Sequence, residues 1–144
     1  MIALAVVTAK LADIAERLDM VKKHRLAAAD GYAASPEARD LVAFNLMLAV
    51  QSAADLAAHA ISDENLPPAR TAAEAFERLA QHGVIAQDLA STLQRAVAFR
   101  NVVAHGYARL DLALLHDAAT AGAQDLERFA AQFARWMETR RGVT

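Results

Sequence analysis

The chain contains no cysteine, which excludes disulfides and thiolate metal centres and leaves nothing that calls for an oxidising compartment. Proline and glycine are scarce, three and five among 144 residues, so few positions interrupt a helix. β-Branched residues form no long alternating run, and the signature of strands is missing with them. The formal net charge is -2; the excess of positive charge that marks many nucleic-acid binders is absent, and any contact with phosphate has to be local. The apolar opening, MIALAVVTAKLADIAERLDM, has no basic region ahead of it and carries Lys10, Asp13, Glu16 and Arg17 at helical intervals. It reads as an amphipathic helix and not as a signal peptide or a membrane span. These features predict a cytoplasmic protein without a membrane segment, of a length that suits one domain over residues 1–144.

What is present is alanine and helical periodicity. Leu4, Val7, Leu11, Ile14, Leu18 and Val21 recur at steps of three and four, predicting a first helix to roughly Ala28. After a break at Asp30-Gly31, Ser35-Pro36-Glu37 supplies a cap oxygen, a proline where no donor is needed and an acid at the positive helix end. The second helix, predicted to about His59, is apolar on more than one side through Leu41, Val42, Phe44, Leu46, Leu48 and Val50, which suits a central or dimer-facing element. Thr71-Ala-Ala-Glu74 is a capping box for a short third helix that stops at His82-Gly83. The fourth carries Leu89, Leu93, Ala96, Val97 and Val103 and stops near Gly106. Asp111 caps a fifth, whose Leu112, Leu115, Ala119, Gly122, Leu126, Phe129, Phe133 and Trp136 keep the same alternation. The fold class expected is all-α, an antiparallel bundle of about five helices.

The residues that break this pattern locate the chemistry. Arg100 lies seven positions after Leu93 and three before Val103, so on a helix it falls inside the apolar stripe, where a guanidinium needs a partner. Asp55, near the line of Leu41, Leu48 and His59 on the second helix, is a plausible mate. The same short segment, FRNVVAHGYARL, holds Asn101, His105 and Tyr107. Five residues along a regular helix turn through about 140°, so Arg100 and His105 converge poorly while the helix persists. A left-handed Gly106 would let His105 and Tyr107 swing out at its end. Each residue alone has a structural reading, as half of an ion pair, a polar helix end or a packing ring; their grouping around one helix end is what suggests a site. His24, His59, His82 and His116 fall into no metal-ligand spacing, and no P-loop or G-x-G-x-x-G is present. Lys22, Lys23, His24 and Arg25 form a basic cluster that reads as a solvated helix end favoured by its own dipole.

Arg100-Asn-Val-Val-Ala-His105-Gly-Tyr107 resembles the R-x-x-x-x-H-x-Y motif of HepT-type proteins of the HEPN superfamily. The similarity extends to NLMLAVQSAADLAAHAI, with Asp55 and His59, and to ARTAAEAFERLAQHGVI. One departure is Ala43-Phe44, where members of the family commonly carry a charged pair. The resemblance implies a HEPN-like fold and a metal-independent endoribonuclease without cofactor, the toxin of a type VII toxin–antitoxin system, active as a homodimer on tRNA or mRNA. His105 would move protons, Arg100 would stabilise charge on the phosphate, and a 2′,3′-cyclic phosphate would result. Asn101 would bind phosphate or orient the histidine, unless it only bridges helices, and Asp55 would support the site. The resemblance further implies an MntA-type nucleotidyltransferase antitoxin that transfers AMP to Tyr107. The competing expectation is a non-catalytic module that holds a nucleotide or that transferase; a third is a purely structural adaptor.

Overall fold

The computed structural model describes residues 3–142; Met1 and Ile2 of the apolar opening lie outside it. The elements are α1 (Leu4–His24), a single turn α2 (Gly31–Ala34), α3 (Pro36–Asp63), α4 (Ala72–Gln81), α5 (Gln87–His105), a 3-10 turn (Tyr107–Arg109), α6 (Leu112–Asp117), a π turn (Ala118–Gly122) and α7 (Ala123–Gly142). No strand occurs among the described residues. The all-α expectation holds, and its five helices are α1, α3, α4, α5 and the run from α6 through the π turn to α7.

Helix starts follow local chemistry. The Ser35 hydroxyl accepts from the Ala38 amide at 3.4 Å, Thr71 from Glu74 at 3.1 Å and Asp111 from Ala113 at 2.7 Å, each relieving a donor without an intrahelical partner. The Glu74 carboxylate turns outward to Arg78 at 2.8 Å. Gly83, with φ of 75°, ends α4, and Val84 donates to the Leu79 carbonyl at 2.9 Å.

Three ends differ from the periodicity. α1 stops at His24, four residues short of Ala28, because the Leu26 amide leaves the helical ladder for the hydroxyl of fully buried Tyr32 at 3.0 Å. α3 runs past His59 to Asp63 and closes through Asn65 in the left-handed region, with φ of 54°, and a bond from the Leu66 amide to the Ile61 carbonyl at 2.9 Å. Asparagine takes the place that glycine usually holds. The last helix widens into a π turn where the Thr120 hydroxyl donates to the His116 carbonyl at 2.9 Å, a side-chain bond that competes with the helical ladder. There Arg25 donates to the Ala119 carbonyl at 3.0 Å, and Lys22 pairs with Glu127 at 2.6 Å. The basic end of α1 is therefore a tie to the last helix.

α3 is the central element. It is long and apolar enough to cross a membrane, yet 56% of its most apolar stretch is buried inside the bundle, as expected of a core helix. α1 lies antiparallel along it: Lys10 meets Asp55, Asp13 meets Ser52, and Arg17 meets buried Asn45. On the other side Phe76, Phe129, Phe133 and Trp136 stack edge-on or tilted, with ring centroids 5.4 to 5.7 Å apart, locking α4 to α7. Arg140 at the end of α7 pairs with Glu64 just past α3. The apolar sides of α3 are mostly covered within the chain; what remains is half-exposed Phe44, 50% accessible, with partly buried Met47 and Leu48 beside it.

Candidate active site

α5 runs antiparallel to α3, so later motif residues meet earlier turns of α3: Tyr107 lies opposite Asp40, and Arg100 opposite Gln51. Met47, Leu48, Gln51, Arg100, Asn101, Ala104 and His105 line an open cleft of about 310 Å³. A larger groove of about 780 Å³ adjoins it at Gln51, Arg100 and Asn101, and leads past Asp55 to Arg70.

Arg100 is not the buried cation that the apolar stripe suggests. The stripe surfaces toward the end of α5, passing from buried Leu93, Ala96 and Val97 to half-buried Arg100 and Val103 and exposed Ala104. The guanidinium is held by neutral amides: it donates to Gln51 Oε1 at 3.2 Å and to Asn101 Oδ1 at 3.0 and 3.3 Å. The direct pair expected with Asp55 is not made. Asp55 is bound by Lys10 at 3.1 Å and by the Gln51 amide at 3.1 Å, so a chain of contacts runs from Lys10 through Asp55 and Gln51 to Arg100 and Asn101. Because the Lys10 and Asp55 side chains are 35% and 38% exposed, Asp55→Ala is expected to lower stability by at most about 1 kcal/mol, the ceiling for surface pairs. Thermal unfolding would show a shift of at most about 4 °C; a drop several times larger would mean that a buried charge had lost its mate.

The route by which His105 reaches the cleft also differs. Gly106 has φ of -153°, not a left-handed conformation, and its amide closes a regular bond to the Val102 carbonyl at 2.8 Å. A Cβ placed on it would meet that carbonyl at 3.7 Å, an ordinary contact, so nothing in the backbone here demands glycine. The helix persists through His105, and the cleft is shallow enough for residues on two sides of α5 to border it. His105 is exposed, and its ring makes no hydrogen bond or ion pair among the described residues.

Tyr107 opens the 3-10 turn, outside that cleft. Its hydroxyl donates to the Asp40 carboxylate, and Arg39, paired with Asp40 at 3.0 Å, lies 5.7 Å from the ring centroid. Burial, and then the bond to Asp40, push the Tyr107 hydroxyl above the usual phenol range. The hydroxyl and Arg39 together hold Asp40 below the usual carboxylate range. Gln51, Asp40 and Arg39 were not read from the sequence. The spacing of Asp40, Phe44, Gln51 and Asp55 along one helix face is the signal that could have grouped them. At the departure in α3, Ala43 is fully buried, so this packing has no room there for a charge, whereas Phe44 stays at the surface.

A family model described as "Ribonuclease HepT-like" matches residues 13–133. Among solved structures, the chain is similar to a tri-AMPylated Shewanella oneidensis HEPN toxin in complex with its MNT antitoxin, at 22% identity and a TM-score of 0.84, covering 92% of this chain and 99% of that one. It is also similar to a toxin–antitoxin crystal structure with AMP-PNP, at 21% identity and a TM-score of 0.82 over 91% and 99% of the two chains. The Bacillus subtilis protein YutE, described as cytosolic and of unknown function, gives a TM-score of 0.85 at 14% identity over 99% and 96%. No curated protein matches the chain. The all-helical fold is that of the HEPN toxins, and the chain belongs to the HepT-like ribonuclease family.

Proposed function

We propose that this protein is a cytoplasmic endoribonuclease toxin that works as a homodimer, cuts RNA without a metal ion, and is silenced when a nucleotidyltransferase partner transfers AMP to Tyr107. The observation that carries this reading is the gathering of Arg100, Asn101 and His105 on one open cleft. His105 carries an imidazole, which can take the proton of a ribose 2′-hydroxyl or return one to the leaving oxygen. Arg100, already aimed by Gln51 and Asn101, offers its remaining donors to phosphate oxygens as negative charge builds. Attack by the 2′-oxygen leaves a 2′,3′-cyclic phosphate and a free 5′-hydroxyl. One histidine cannot be acid and base in the same step, and a two-fold axis beside Phe44 and Met47 would bring a second copy to the cleft.

The complexes of similar fold, one AMPylated and bound to its antitoxin, support the regulatory half of the reading. AMP on Tyr107 would put bulk and negative charge beside the path of an RNA phosphate. A second reading, a binding module without catalysis, draws on one observation: among the described residues no side chain hydrogen-bonds to the His105 ring. Incubating the purified protein with a broad RNA pool in chelator decides between them. Fragments ending in cyclic phosphate support the nuclease. Intact RNA together with retained binding to an MntA-type transferase supports the module.

A further inference from the structure

Asp40 bonds Tyr107 and Arg39 and does not line the cleft that Arg100 and His105 border. Asp40 is exposed, lies one turn into α3 and accepts a hydrogen bond from the Tyr107 hydroxyl. Arg39, its neighbour, pairs with that carboxylate at 3.0 Å and flanks the phenol ring. These are the charged side chains in contact with the hydroxyl and ring among the described residues, and both come from α3. The phenol thus carries a hydrogen-bonded proton acceptor on its own chain, before any partner binds.

We infer that Asp40 is the proton acceptor for nucleotidyl transfer to Tyr107, so that the target supplies the base and the partner supplies the nucleoside triphosphate. This rests on the reading of Tyr107 as the acceptor. In the step, Tyr107 Oη attacks the α-phosphorus of the triphosphate; the Oη–P bond forms, the bond from phosphorus to the bridging oxygen breaks, and pyrophosphate leaves. The phenol proton passes to Asp40 Oδ1. An ionised carboxylate is a weak base for a free phenol, but a phenol becomes strongly acidic once its oxygen bonds to phosphorus, so the transfer runs downhill as that bond forms. The pair with Arg39 keeps Asp40 ionised and aimed. Without Asp40 the hydroxyl would need bulk hydroxide, since burial holds its proton more tightly than usual.

The test measures AMP incorporation by intact-protein mass spectrometry, with ATP and an MntA-type nucleotidyltransferase, for the wild type and for Asp40→Asn, Asp40→Ala and Tyr107→Phe. Asp40→Asn keeps the shape and an accepting oxygen but cannot take the proton. It is expected to slow the first incorporation at least tenfold at neutral pH, with a deficit that narrows as pH rises and solvent hydroxide takes over. A merely structural role would give a ratio that does not change with pH. Circular dichroism and melting confirm that the exposed substitutions fold. Incorporation by Asp40→Asn at the wild-type rate, or a pH-independent deficit, overturns the inference while leaving Tyr107 as acceptor. AMP uptake by Tyr107→Phe, or none by the wild type, overturns the acceptor reading and this inference with it.

Discussion

His105→Ala is expected to reduce RNA cleavage by about 10²- to 10⁴-fold, the range for a positioned proton-transfer group. Arg100→Ala is expected to cost about 10²- to 10³-fold, as the loss of a donor aimed at developing charge does elsewhere. Both expectations follow from the cleft, in which the imidazole and the guanidinium border one space and the guanidinium is prealigned by two neutral amides. Because His105 is exposed and Arg100 half-buried, neither change opens a hole in the core, and stability should move by about 0.5 kcal/mol or less for the histidine. Single-turnover cleavage of end-labelled RNA, with a melting curve beside it, separates chemistry from folding. In cells the same variants should relieve growth arrest. Wild-type cleavage by His105→Ala would remove the histidine from the reaction and leave the binding module as the better account.

Phe44→Glu should give a monomer with little nuclease activity. Phe44 is 50% exposed, the bulkiest apolar side chain left open beside the cleft, and Met47 and Leu48 continue the patch to its rim. An aromatic at the centre of a two-fold contact is the kind of anchor whose loss costs at least about 2 kcal/mol of binding; two like charges facing each other across the axis add to that. The monomer itself keeps its fold, since the side chain takes no part in the core. If cleavage needs one histidine from each copy, activity should fall by about 10²-fold or more together with the mass, as it does when one proton-transfer partner is removed. Sedimentation velocity at micromolar concentration reads the mass. A Phe44→Glu protein that is monomeric and fully active would show that one copy of the cleft suffices.

The parts of this fold written in short-range chemistry were legible. Ser35, Thr71, Gly83 and Asp111 mark helix ends by bonds spanning two to five residues, and the apolar stripe of α1 buried as its spacing demanded, except at exposed Leu4 and partly buried Leu11. The misjudged ends depend on partners that no local pattern reveals. α1 is cut short by a tyrosine hydroxyl from the next element, and the π turn interrupts a stretch whose three-four spacing is unbroken. The candidate site divides in the same way. Arg100, Asn101 and His105 are close in sequence and meet on one cleft. The long-range contacts of Arg100 and of Tyr107 come from 49 and 67 residues away, through Gln51 and Asp40. Asp55 bonds Lys10 and Gln51 instead of pairing with Arg100, because periodicity says which face a residue occupies and not how far that face stays covered as the helix emerges from the bundle.

The tie between Arg25 and the Ala119 carbonyl has an inheritance unlike that of an ion pair. Salt bridges such as Lys22–Glu127 can be lost through a codon at either end. Here one partner is main chain, present whatever residue stands at 119, so only position 25 is exposed to drift. That one bond between the first and last helices can therefore be lost by substitution at position 25 alone, and a sequence that has lost it can regain it by restoring a single arginine.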